Sequence, residues 1–72
     1  MTCLSEIEAG SMVTIERIIS GSSRRLQRLA SLGIVPGVKL RLISKRPTFV
    51  LQFDYTSLAL DGSIANEIFV TR

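Results

Sequence analysis

The stretch from Ser22 to Gly37 allows one short helix and then stops it. Leu26, Leu29 and Ala30 fall at i, i+3 and i+4, the spacing of a single helix face. Ser22 or Ser23 offers a hydroxyl for the N-cap. Gly33 stands where a left-handed C′ residue would end the helix. Ile34 is then C″ and Leu29 is C3, the pair that touches in a Schellman stop. Pro36 blocks a restart, and Pro36-Gly37 re-aims the chain. The spacing therefore predicts a helix over residues 22–32, with Arg24 and Arg28 opposite the apolar stripe and Arg25 beside it. Leu26, Leu29, Leu32 and Ile34 read as core, and Gly33, Pro36 and Gly37 read as structural.

Everything else reads as short strands. Residues 12–19 are rich in β-branched side chains, with Val13 and Ile15 in phase and Ile18 out of phase by one. A bulge near Glu16–Arg17 would restore the phase. Residues 38–44 alternate with Val38, Leu40 and Leu42 inward, and residues 49–55 alternate with Phe49, Leu51 and Phe53 inward. Leu58-Ala59-Leu60 is a short strand that ends at the turn pair Asp61-Gly62, and residues 67–71 close the chain. Residues 4–10 read as a turn that sets Leu4 and Ile7 against the core, and residues 63–66 have room for one helical turn. Five short strands, with one helix between the first two, predict a mainly β fold: a small closed or nearly closed barrel, which limits exposed edges.

With 72 residues, the chain is read as one domain spanning 1–72. Such a chain buries only about 60% of the surface its unfolded form exposes, so its core is thin. One cysteine, Cys3, allows no internal disulfide. There is no histidine, and the six carboxylates are scattered singly, so neither a metal site nor a cofactor is expected. Without histidine the commonest general acid/base is missing, and no nucleophile elbow or phosphate-binding loop is present. The chain reads as a binding or regulatory module rather than an enzyme. No apolar run approaches the roughly 20 residues that span a bilayer, and the N-terminus lacks the pattern of a signal peptide, so a cytoplasmic location is expected. Mean hydropathy is +0.35, high for so small a chain. Exposed apolar surface and weak self-association are therefore expected.

Charge is unevenly spread. Between Arg17 and Arg46 lie eight basic residues and no acidic one, while the flanks hold all six acids and only Arg72. Arg24 and Arg25 would occupy the first helical turn, where the helix dipole disfavours positive charge. A local rule broken without visible compensation is a mark of function. Arg24, Arg25 and Arg28 are accordingly the candidate partner-binding residues.

The pattern Arg25-Leu26-x-x-Leu29-x-x-Leu32-Gly33-Ile34-x-Pro36-Gly37 resembles the core motif of the FeoA family, small cytoplasmic accessory proteins of bacterial ferrous iron uptake. Upstream, Leu4 to Gly10 followed by Ile15 and Ile18 is similar to the start of that family's pattern. Downstream, Leu58-Ala59-Leu60 and the run from Ala65 to Val70 are similar to its close. The resemblance covers nearly the whole chain. It implies an SH3-like barrel that works beside FeoB, a membrane transporter with a cytoplasmic GTPase domain, and that meets the membrane only through it. Related SH3-like domains end metal-dependent repressors of the DtxR type, whose DNA-binding portion this chain lacks. Where the family often has a glycine or basic turn, this chain has Asp54-Tyr55-Thr56-Ser57.

Two functions compete at this level. One is a protein-interaction module of ferrous iron uptake. The other is a small basic barrel binding nucleic acid, which stacks bases on aromatic side chains. Aromatics are few (Phe49, Phe53, Tyr55 and Phe69), so the first reading leads and no nucleic acid partner is expected.

Overall fold

The alternating segments fold as strands, and the one helical segment folds as a helix. The computed structural model describes residues 2–72. In chain order the elements are β1 (Thr2–Cys3), a 3-10 turn at Leu4–Glu6, β2 (Met12–Ile18), α1 (Ser23–Ser31), β3 (Lys39–Ser44), β4 (Phe49–Phe53), β5 (Thr56–Leu60), α2 (Gly62–Ala65) and β6 (Ile68–Thr71). All five expected strands are present. The sixth, β1, lies outside that expectation. It pairs Thr2 with Val70 and Cys3 with Phe69, and two residues are too few to show an alternation.

The strands form one antiparallel sheet in the order β1-β6-β2-β3-β4-β5. The sheet wraps one apolar core but, among the described residues, does not close into a hydrogen-bonded ring. β1 and β5 remain as its two edges. Leu4, Ile15, Leu42, Leu51 and Ile68 are among the fully buried side chains, and among the described residues no polar side chain is buried.

The expected bulge lies in β2. Ile15 faces Val70 and Arg17 faces Phe69, so Glu16 is the extra residue, and Ile18 returns to pack against the core. The β4–β5 hairpin turns in two residues, because Phe53 faces Thr56. Asp54 takes a φ of +52° there, a conformation that aspartate tolerates better than most residues. β4 therefore stops at Phe53 rather than at residue 55, and β5 starts two residues earlier than Leu58.

Ser22 caps α1 by accepting the Arg25 N–H at 3.1 Å. The stop is a full Schellman motif. The Ile34 N–H donates to Leu29 C=O at 2.9 Å, and the Gly33 N–H donates to Ala30 C=O at 3.0 Å. Leu29 and Ile34 are both buried. The apolar stripe is narrower than its spacing suggests: Leu26 is half-buried, and Ala30 and Leu32 are exposed. The reason is local. Gly33 turns the chain at a φ of +95°, so Ile34 takes the core position and Leu32 is left outside.

Pro36-Gly37 makes the expected turn, closed by the Val38 N–H on Val35 C=O, with Gly37 at a φ of +95°. The Gly37 N–H then donates to Ile15 C=O at 2.8 Å, and the Ile15 N–H donates to Val38 C=O at 2.9 Å. This pins the turn to β2 and delivers the chain into β3. The second helical turn, α2, is capped by Asp61, whose carboxylate accepts the Ile64 N–H at 3.0 Å.

Candidate protein-docking groove

Between α1 and the segment running from β5 into α2 is an open groove of about 540 Å³. Ser22, Arg24, Arg25, Arg28, Leu29 and Leu32 form its helical side. Leu58, Ala59, Leu60, Asp61 and Ile64 form the other side. All three candidate arginines thus border one depression. Its floor is apolar, with buried Leu29 and Leu60 and half-buried Leu58 and Ile64.

The three arginines are not equivalent. One guanidinium nitrogen of Arg25, Nη1, donates to Glu67 Oε1 at 2.8 Å. That bond, and the charge of Glu67, hold the Arg25 guanidinium protonated beyond its ordinary range. A cation in the first turn of α1 therefore does have compensation, supplied by a residue 42 positions away. Arg24 and Arg28 are exposed and form no ion pair among the described residues. Asp61, the one carboxylate lining the groove, is already engaged. The Ser63 hydroxyl donates to it at 2.6 Å and the Ile64 N–H at 3.0 Å. Those bonds, the hydroxyl first, lower its pKa below the ordinary carboxylate value, and the charge of Arg25 adds a smaller contribution. With Arg25 paired to Glu67, the lining sets two free cations, Arg24 and Arg28, against the one carboxylate of Asp61 and is net positive.

The motif residues lie in the core, at turns or partly at the surface. Leu29 and Ile34 are core, and Gly33 and Gly37 hold positive φ. Pro36 is exposed at its turn. Leu26 is half-buried. A Cβ placed on Gly33 would lie 3.1 Å from Phe53 Cε2, so helix stop and β4 meet closely there. The sequence does not mark residues 58–61 and Ile64 as site residues. Nothing local sets them apart, because only the strand order brings β5 opposite α1. Glu67 is likewise unmarked.

Other surfaces offer less. Met12, Lys39, Arg41, Gln52, Phe53 and Asp54 line a smaller depression of about 210 Å³. Of the aromatic side chains only Tyr55 is exposed, and it stands alone at the β4–β5 turn. A row of stacking platforms for bases is therefore absent among the described residues. No three His, Cys, Asp or Glu side chains converge as metal ligands among them. Among the described residues no helix is long and apolar enough to cross a membrane.

Comparison with known proteins gives the same architecture. The family model of the FeoA domain matches residues 2–72. A FeoA-like protein from Clostridium acetobutylicum is 30% identical with a TM-score of 0.82, over 99% of this chain and 88% of that one. FeoA from Stenotrophomonas maltophilia, described as a prokaryotic SH3 domain protein and solved with zinc, is 26% identical with a TM-score of 0.83, over 99% and 91%. IdeR from T. acidophilum is 27% identical with a TM-score of 0.89, over 97% of this chain but only 33% of its own. No curated protein matches by sequence.

Proposed function

The chain belongs to the FeoA domain family, and from that premise we propose that it is an accessory protein of ferrous iron uptake acting by protein–protein contact. Its partner is the cytoplasmic region of a FeoB-type ferrous iron transporter, and it works in the cytoplasm, reaching the membrane only through that partner. The observation that carries this reading is the family match over residues 2–72, which spans the groove and both of its walls. The mainly β, SH3-like fold agrees with a binding module, and the groove supplies what such a module needs: an apolar floor with unpaired cations at the rim. Electrostatic steering by Arg24 and Arg28 would speed encounter with an acidic surface and fade with salt.

The test is binding of the purified chain to the cytoplasmic domain of the ferrous iron transporter from the same organism, paired with iron uptake in cells lacking the chain. Saturable binding together with reduced uptake is the expected result. No binding to the transporter, alone or in membranes, with normal uptake in the deletion strain, removes the proposal.

A further inference from the structure

β5 is an edge of the sheet, and its two-residue turn fixes which of its backbone groups are free. Phe53 and Thr56 flank that turn and face each other, so they are the hydrogen-bonded pair of the hairpin. In an antiparallel ladder, bonded and non-bonded pairs alternate. Leu58 and Leu60 therefore bond back to β4, while Ser57 and Ala59 direct their N–H and C=O outward. Both residues are exposed, and neither is bonded to backbone outside the β4–β5 ladder. Ala59 also lines the groove, so a free strand edge runs along its wall.

The surroundings restrict what can pair there. The edge asks for an extended chain. The floor of Leu29, Leu58 and Ile64 asks for apolar side chains at alternate positions. The rim asks for negative charge, because Arg24 and Arg28 are unpaired and outnumber Asp61, the one carboxylate of the lining, whose bonds from Ser63 and Ile64 leave its charge in place. A second copy of this chain would bring a net charge of +3 and the same two arginines against the first. We propose that the β5 edge takes an extended acidic segment of a partner protein. That segment adds as a strand between β5 and α1, its apolar residues on the floor and its carboxylates toward Arg24 and Arg28. The inference rests on the docking reading above and specifies its mode.

A capped, dye-labelled octapeptide of alternating glutamate and valine is the probe, titrated into the intact chain and followed by fluorescence anisotropy. It should bind, and its counterpart of lysine and valine should not. N-methylation of alternate residues, which removes the strand-pairing N–H groups, should weaken binding about fivefold or more. Ala59→Pro removes an outward N–H without breaking the ladder, a place where an edge strand accepts proline, and should do the same. Alanine at Arg24 and Arg28 together should cost about fivefold at low salt and flatten the salt dependence. Equal binding of the two peptides overturns the acidic occupant. A folded Ala59→Pro protein with unchanged affinity overturns strand addition. If that variant unfolds, the N-methylated peptide on the unaltered chain reads the same bond, and unchanged affinity there overturns it equally. A dimer in sedimentation that is lost in Ala59→Pro, without peptide binding, gives the edge to a second copy and overturns the proposal. The outcomes also separate it from the functional reading. Transporter binding without peptide binding, untouched by Ala59→Pro, sinks strand addition alone. Peptide binding as expected, without transporter contact, supports strand addition and sinks the functional reading alone.

Discussion

Arg25 on the first turn of α1 lies 2.8 Å from Glu67, the residue before β6, and so ties the helix to the far end of the chain. Few side chains of α1 reach the core, Leu29 being its one buried residue, so this ion pair is part of what fixes the helix in place. Arg25→Glu sets two carboxylates together beside Asp61 and should lower the melting temperature. Glu67→Arg should do so as well. The double exchange should recover most of the loss, and it places an acid in the first helical turn, where the dipole favours one. Thermal unfolding of the four proteins checks this. A double variant as unstable as the two single losses added together would show that the pair contributes no coupling.

Acid should destabilise the domain through Asp61. Its carboxylate is held below its ordinary value of 3.8 by the Ser63 hydroxyl and then by the Ile64 N–H. A carboxylate whose folded pKa is depressed contributes stability that is fully present above its unfolded value. That contribution is lost as pH falls through the lower, folded value. Stability should therefore decline from about pH 4 downward. The substitution Asp61→Asn keeps a side-chain oxygen for the cap but leaves no proton to take up, so it should flatten the acid limb. Glu6, lowered mainly by the Cys3 N–H, acts in the same direction and should leave a residual slope. Urea melts of wild type and variant between about pH 7 and about pH 2.5, a range that brackets the ordinary carboxylate values, measure the difference. Parallel curves would remove Asp61 from the explanation.

The glycines should rank by geometry. Gly33 combines a φ of +95° with a Cβ position 3.1 Å from Phe53 Cε2. Gly37 has the same φ but open space around it, and Gly21 has neither constraint. Gly33→Ala should cost the most, about 2–3 kcal/mol, and Gly37→Ala about 1 kcal/mol from backbone strain alone. Gly21→Ala should be neutral or slightly stabilising. Equilibrium unfolding in urea resolves the order, and equal losses at residues 33 and 37 would remove the contact with Phe53 as a cause.

How much of this is legible in the sequence follows the range of each interaction. The Ser22 cap, the Gly33 stop and the bulge at Glu16 are set within a few residues, and each stands where the spacing puts it. β1 has no such signal because it exists only through pairing with β6. Leu32 reads as core from spacing alone, because spacing along a helix cannot tell that the stop hands its core position to Ile34. The arginines are legible as a cluster, but which of them is free is not. That distinction needs Glu67, which only the closing strand brings near. The β5 wall of the groove is wholly a product of strand order.

The same contrast gives a stability test for the helix. Leu29 is 3% exposed and Leu32 is 46% exposed. Leu29→Ala empties a core position and should cost about 2–5 kcal/mol. Leu32→Ala should stay within about 0.5 kcal/mol, the usual range for a surface site. Leu26, half-buried, should fall between them. Melting curves that rank Leu32 with Leu29 would mean that Leu32 is buried in solution and overturn its assignment to the surface.

The functional prediction turns on separating Arg24 and Arg28 from Arg25. Changing all three to glutamate would break the Arg25–Glu67 pair and mix a folding defect into any loss of binding. Arg24→Glu with Arg28→Glu leaves that pair in place and alters only exposed side chains. The far-ultraviolet circular dichroism and the melting temperature should therefore stay close to wild type. Charge complementarity acts chiefly on the rate of encounter and is screened by salt. Association with the transporter's cytoplasmic domain should slow about tenfold or more at low ionic strength, and the gap should narrow as salt is added. Dissociation should change less, because the apolar floor of Leu29, Leu58 and Ile64 is intact. Iron uptake in cells carrying only this variant should fall accordingly. Stopped-flow association measured across a salt series, alongside uptake of ferrous iron, gives both readouts. A folded double variant with wild-type association and full uptake would move the docking face away from α1.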